Sequence, residues 1–311
     1  MSTILITGGT GFIGANLTRR LLLQGHEIHL LVRPNYKSWR IKDIKPDLRL
    51  HAVNLEDEEA LNQRISRIKP ERIFHLAVHG AYSSQNNLRA MIDTNIIGTV
   101  NLLQACLKTD FDVFVNTGSS SEYGYKDYPP SEIEWLEPNS YYAITKASAT
   151  LFCRYIAKNQ NLRIPTLRLY SVYGSYEEST RLMPTLIERG LQGKLPPLVN
   201  PKIARDYVYI DDVVEAYLLA AMMNTNELGA VFNVGTGIQT TLRDVVEIAR
   251  KVLKIPAKPQ WGTMPDRHWD TTVWVADNRK IKEELGWSPY YSFEEGFQEM
   301  VNWYKQQQAE G

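Results

Sequence analysis

Cysteine is almost missing from this 311-residue chain: there are 2, Cys106 and Cys153. Both fall in apolar helical patterns, which predicts buried thiols and not a disulfide or a metal pair. Net charge is missing too. Lys+Arg number 35 and Asp+Glu 35, so the basic footprint of a nucleic-acid binder is not there and no nucleic-acid partner is expected. No apolar run approaches the roughly 18 residues of a membrane span. The start, Met1-Ser2-Thr3 before Ile4, has neither the basic nor the long apolar region of a signal peptide. His75, His79 and His268 show no metal-ligand spacing, so no metal is assigned. There is no internal repeat and no low-complexity linker. The simplest expectation is a reduced, cytoplasmic protein with no membrane partner.

What is present is a large apolar fraction, 43%, enough for the core of one large domain or two interlocked ones. Short apolar segments alternate with helical periodicity. Ile4–Thr7, Glu27–Val32, Leu48–Val53, Arg72–Leu76, Val113–Thr117 and Pro165–Leu169 are predicted strands. Phe12–Gln24, which Gly25 closes, and stretches near 57–68, 88–107 and 140–158 are predicted helices. This βαβ alternation predicts an α/β fold: a Rossmann-type, doubly wound parallel sheet that binds ligands at the strand C-termini. After Gly174 the pattern changes. Helices are predicted near 180–192, 211–223, 241–253 and 293–306, with a strand at 230–234 and a Pro-rich loop, Leu195 to Pro201. The expected organisation is a dinucleotide-binding domain, 1–174 plus about 206–237. A smaller C-terminal substrate lobe, about 175–205 plus 238–311, packs against it.

Thr7-Gly8-Gly9-Thr10-Gly11-Phe12-Ile13-Gly14 follows the first strand and opens the first helix. Glycines at 8, 11 and 14 allow a tight turn and close approach of backbone to a pyrophosphate. The helix N-terminus adds free N–H groups and partial positive charge. For NAD, an acid at the end of the second strand would bind the ribose hydroxyls. Val32 stands there, followed by Arg33, with Lys37 and Arg40 close behind. These cations attract a 2′-phosphate, so NADP(H) is favoured over NAD(H).

Tyr142 and Lys146 are spaced i,i+4 in a predicted helix and share a face. A strand ending Thr117-Gly118-Ser119-Ser120-Ser121-Glu122-Tyr123-Gly124 precedes them. A phenol has a reference pKa near 10 and is a poor base at neutral pH. A nearby ammonium favours phenolate, and tyrosine then exchanges a proton with a sugar hydroxyl or ketone while a serine hydroxyl holds the same oxygen.

Together these residues resemble the extended short-chain dehydrogenase/reductase family over nearly the whole chain. Further matches are His75-Leu76-Ala77, Asn95-x-x-Gly98-Thr99, Arg168-Leu169-Tyr170-Ser171-Val172-Tyr173-Gly174, Arg205-Asp206-Tyr207 and Phe232-Asn233-Val234-Gly235. The resemblance implies Ser119, Tyr142 and Lys146 as the catalytic set. It implies cofactor contacts from Gly8, Thr10, Gly11, Phe12, Ile13, Gly14, Arg33, Asn54, Leu55, Leu76, Ala77 and Asn95, besides Tyr142 and Lys146. Asn54 stands where the family usually has Asp, and Ser171 where Asn is usual. The C-terminal lobe resembles that of nucleotide-sugar enzymes, with Ser120, Ser171, Arg205 and Arg267 toward the substrate; a guanidinium fork suits its diphosphate. A domain-bridging ion pair is an equal alternative for Arg205. Similar proteins dimerise through helices near 95–107 and 140–158, which implies a homodimer.

The 4,6-dehydratases have acids where this chain has Ser120 and Ser121, and Gly118-Ser119-Ser120-x-Glu122-Tyr123-Gly124 looks most like the 4-keto-6-deoxy-sugar reductases. The implied reaction is reduction of a nucleoside-diphosphate 4-keto-6-deoxy-hexose at C4. The alternatives are a nucleotide-sugar 4-epimerase that retains its NAD and, more distantly, a non-catalytic NADP-sensing regulator.

Overall fold

The computed structural model describes residues 1–82, 84–223, 227–265 and 271–310. Its first half alternates β1 (Thr3–Thr7), α1 (Phe12–Leu23), β2 (Glu27–Val32), β3 (Arg49–Ala52), α2 (Glu58–Ile68) and β4 (Arg72–His75). Then come α3 (Leu88–Ile92), α4 (Gly98–Cys106), β5 (Val113–Ser119), α5 (Tyr141–Gln160), β6 (Thr166–Leu169) and β7 (Ser171–Tyr173). Next are α6 (Leu182–Gly190), β8 (Ala204–Arg205), β9 (Tyr207–Tyr209), α7 (Ile210–Met222), β10 (Val231–Val234) and β11 (Thr240–Thr241). The chain closes with α8 (Leu242–Leu253), α9 (Arg279–Leu285) and α10 (Phe293–Glu310).

Seven strands form one sheet in the order β10-β6-β5-β4-β1-β2-β3, with every pairing parallel. A parallel sheet needs cover on both faces, and its strands therefore carry apolar side chains on both. Ile4 and Ile6 enter one core with Leu30, Phe74 and Val115; Leu5 enters the opposite core with Leu31, Ile73 and Phe114. The first core lies under α1 and α7, the second under α2, α4 and α5. Cys106 and Cys153 are buried, free thiols of the second core. Burial pushes the Cys153 thiol up to about 12, so it behaves as an inert apolar group.

Strand order reverses beside β1: its neighbours are β2, reached through α1, and β4. The crevice at such a switch point is where an α/β sheet takes its ligand, and the glycine loop and the C-terminal end of β5 border it. The predicted helix over 88–107 is not uniform. Residues Asp93–Ile97 form a π-helical turn between α3 and α4. The pairs β7 with β9 and β8 with β11, and helix α9, had no periodic signal; each is too short to show one.

Candidate active site

The glycine loop runs from β1 into α1. Gly8 has φ +70°, and a Cβ there would lie 2.6 Å from the Leu76 carbonyl carbon and 2.7 Å from the Ala77 nitrogen. Gly14 is tighter still, since its Cβ would lie 2.2 Å from the Gly8 oxygen. Gly11 caps α1 with an extended backbone and no side-chain hydrogen bond, leaving early amide N–H groups unclaimed by side chains. The cradle fits a pyrophosphate: the backbone packs too closely for a side chain, and α1 begins with no side-chain cap on its amides.

Buried polar groups fix the loop after β4 against this turn. Thr99 Oγ1 donates to the Asn95 carbonyl at 2.7 Å. It therefore accepts from His75 Nε2, 2.9 Å away. His75 Nδ1 then accepts from Thr7 Oγ1 at 2.7 Å, and Thr7 Oγ1 accepts from the Ala77 amide at 3.1 Å. Burial, reinforced by the Lys146 charge, pushes His75 down to about 3, so the ring is neutral as this chain of donors requires.

Asn95 was expected at the cofactor. Its Oδ1 accepts from the His79 amide at 2.8 Å, and its Nδ2 donates to the His79 carbonyl at 2.8 Å and to Thr145 Oγ1 at 2.9 Å. The π turn thus aims Asn95 inward, where it staples the β4 loop to α5. Leu55 lies against Gly98, where a Cβ would come 2.8 Å from the Leu55 Cβ. Asn101 Nδ2 donates to the Leu55 carbonyl at 3.1 Å, and Asn54 is exposed beside it.

The cation set after β2 needs one correction. Arg33 and Lys37 are exposed. Arg40 is buried, donating from Nε to the Tyr176 carbonyl at 2.7 Å and from Nη2 to Glu178 at 3.0 Å, with its guanidinium over Trp39. It fastens the β2–β3 connection to the loop after β7 and is not free for a phosphate.

Ser140 caps α5, accepting from the Ala143 amide at 3.2 Å. This start places Tyr142 in the first turn and Lys146 one turn on. The Tyr142 hydroxyl lies near Ser119, at the end of β5, whose side chain favours the ionised phenol. Burial raises the Tyr142 pKa, and the Glu122 charge raises it further; Ser119 and Arg181 oppose this. Lys146 is buried and its pKa is lowered by that burial, against the pull of Glu122. Ser119 and Tyr142 thus adjoin at the C-terminal end of β5, with Lys146 one turn further along α5.

Among the substrate candidates, Ser120 Oγ accepts from the indole Nε1 of Trp274 at 3.2 Å. Arg205 stacks over the same indole, 5.6 Å from the ring centre, and donates to the Ala204 carbonyl at 2.8 Å. Ser171 opens β7, donating its amide to the Asp206 carbonyl at 2.9 Å. Arg267 lies outside the described residues. Trp274 is the residue that sequence reasoning missed, although it stands seven residues after Arg267, which was singled out.

The sequence model of the NAD dependent epimerase/dehydratase family matches residues 4–235. The fold superposes on a UDP-glucose 4-epimerase from Thermotoga maritima, solved with UDP-glucose. That protein is 29% identical, with 98% of this chain and 99% of that one covered and a TM-score of 0.89. A UDP-glucose 4-epimerase of Rhizobium meliloti is 27% identical over 100% of this chain and 99% of its own length. A dTDP-glucose 4,6-dehydratase from Bacillus anthracis, solved in complex with NAD, is 27% identical, with 99% and 98% of the two chains covered and a TM-score of 0.87. Among the described residues no helix is long and apolar enough to cross a membrane.

Proposed function

This chain belongs to the NAD dependent epimerase/dehydratase family, and from that premise we propose that it reduces the C4 ketone of a nucleotide-linked 4-keto-6-deoxy-hexose. The carrying observation is the Ser119–Tyr142 hydroxyl pair with Lys146 one turn away, together with a glycine cradle open to a dinucleotide. Gly8 to Gly14 hold the pyrophosphate, with Leu76, Ala77 and Leu55 along the groove. When bound, the nicotinamide supplies the hydride. Tyr142 gives its proton to the sugar O4, Ser119 positions that oxygen, and Lys146 supports the charge left on the phenolate. Arg33 and Lys37, free to meet a 2′-phosphate, support NADP(H) as the reductant. Arg205 and Arg267 are proposed at the diphosphate, in a lobe built from about 175–205 and 238–311.

Ser120 and Ser121 offer no carboxyl group to eliminate water, which disfavours dehydration. A 4-epimerase remains the second reading, supported by the similarity to two UDP-glucose 4-epimerases. The deciding assay supplies NADPH with 4-keto-6-deoxy-sugars on several nucleotides. It separately supplies nucleotide-hexoses without added cofactor. Stoichiometric NADPH oxidation in the first arm is expected. Interconversion of 4-epimers in the second arm, with no NADPH consumed in the first, establishes the epimerase instead.

The chain is further proposed to form a homodimer. Tyr141, Ile144, Leu151, Phe152 and Tyr155 make an exposed apolar stripe along α5, continued by Leu88 and Ile97.

A further inference from the structure

Glu122 is completely buried one residue beyond the serine run, and the reaction proposed above gives it no task. Its Oε1 accepts from the Ser119 amide at 2.8 Å and from Thr150 Oγ1 at 3.0 Å. Thr150 stands one turn beyond Lys146 on α5. Oε2 accepts from Arg168 Nε at 2.8 Å, on β6. A Cβ at Gly118 would lie 2.8 Å from Oε1, so that glycine makes room for the carboxylate. Arg168 continues away from the site. Its Nη1 donates to the Tyr123 hydroxyl at 2.8 Å, and that hydroxyl donates to Asn233 Oδ1 at 2.7 Å.

The ion pair is therefore a buried dipole. Its negative end is pinned to Ser119 and α5, and its positive end points toward Tyr123. In a low-dielectric interior such a dipole acts on neighbouring proton equilibria without adding net charge. We infer that Glu122 is a positioning residue that fixes Ser119 against α5 and holds Tyr142 in its protonated, proton-donating form. This suits ketone reduction, where Tyr142 must start as an acid; an oxidation that opens an epimerase cycle needs it as a base. The inference rests on the acid/base assignment of Ser119, Tyr142 and Lys146.

The field has the required sign at both groups. Beyond the effect of burial, Glu122 opposes ionisation of Tyr142 and favours the Lys146 ammonium. The other groups acting there are Ser119 from β5, Arg181 ahead of α6, Tyr217 from α7, His75 from β4 and Cys153 from α5. All of them stay in place in the test.

The test is the double variant Glu122→Gln with Arg168→Met. It keeps an acceptor for Ser119 and Thr150 and removes both charges. Reduction requires protonated Tyr142, so its rate falls as pH rises and Tyr142 loses its proton. Without the carboxylate both groups lose protons at lower pH, and the alkaline limb of kcat should move down by about one pH unit. The same shift is expected in the cofactor-free protein by NMR titration of 13Cζ-labelled tyrosine, with Tyr142 assigned from Tyr142→Phe. Thr150→Val, nearly isosteric, keeps the test alive if the double variant does not fold. It strips a donor from the carboxylate and should move the limb up by about a few tenths of a unit. An unmoved limb and an unmoved Tyr142 resonance in a folded variant overturn the inference. If Tyr142→Phe itself turns over normally, the acid/base assignment has failed instead, whatever Glu122 does.

Discussion

Replacing Gly14 by alanine should cripple cofactor binding while the protein still folds. The added Cβ would sit 2.2 Å from the Gly8 oxygen, 2.8 Å from the Gly8 carbonyl carbon and 2.8 Å from the Gly9 Cα. All three are backbone atoms, so no rotamer relieves the clash. Non-bonded heavy atoms settle at about 3.5–4.0 Å, so α1 and the loop must separate by roughly 1 Å. Overpacking of this kind costs about 1–3 kcal/mol. A chain of this size loses roughly 2–4 °C of Tm per kcal/mol, so a fall of about 2–12 °C is expected. Displacing the cradle by roughly 1 Å costs on the order of 100-fold where geometry is demanding, and cofactor Kd should rise by that order. Gly11→Ala is the control. Its φ is −82° and its Cβ would approach only the Gly8 oxygen, at 3.1 Å, so a far smaller loss is expected. Calorimetric titration with NADPH, beside a thermal melt, measures both. A Gly14→Ala protein that binds within threefold of the parent refutes the cradle.

Tyr142→Phe should keep fold and cofactor affinity and lose turnover by at least about 100-fold; near-normal kcat removes Tyr142 from the chemistry. Arg33→Ala should weaken NADPH by about tenfold and leave NADH nearly unchanged, since one exposed charge-assisted contact is lost; tighter NADH binding by the parent protein reverses the cofactor assignment. Leu151→Glu with Tyr155→Glu should convert a dimer to a monomer in sedimentation; a parent protein that already sediments as a monomer ends that proposal.

The sheet was legible because its strands are local, apolar and punctuated, and the glycine loop because a short stretch between strand and helix carries all its own chemistry. The Tyr142 and Lys146 pair was legible for the same reason: helical spacing alone puts them on one face. What stayed hidden depends on residues far apart in sequence. Arg40 looked like a free cation beside Arg33, yet it is spent on a carbonyl 136 residues away. Nothing around Ser120 announces an indole donor 154 residues on. Glu122 was visible as part of a motif, but its partner lies 46 residues away on β6. Only after β5 and β6 pair does that partner turn a serine-rich turn into an electrostatic element. Burying a carboxylate without a partner is costly, so Arg168 on β6 is what compensates the burial of Glu122 beneath Ser119. The motif therefore marks a tertiary ion pair, and the direction of its field bears on whether Tyr142 begins the reaction as acid or as base.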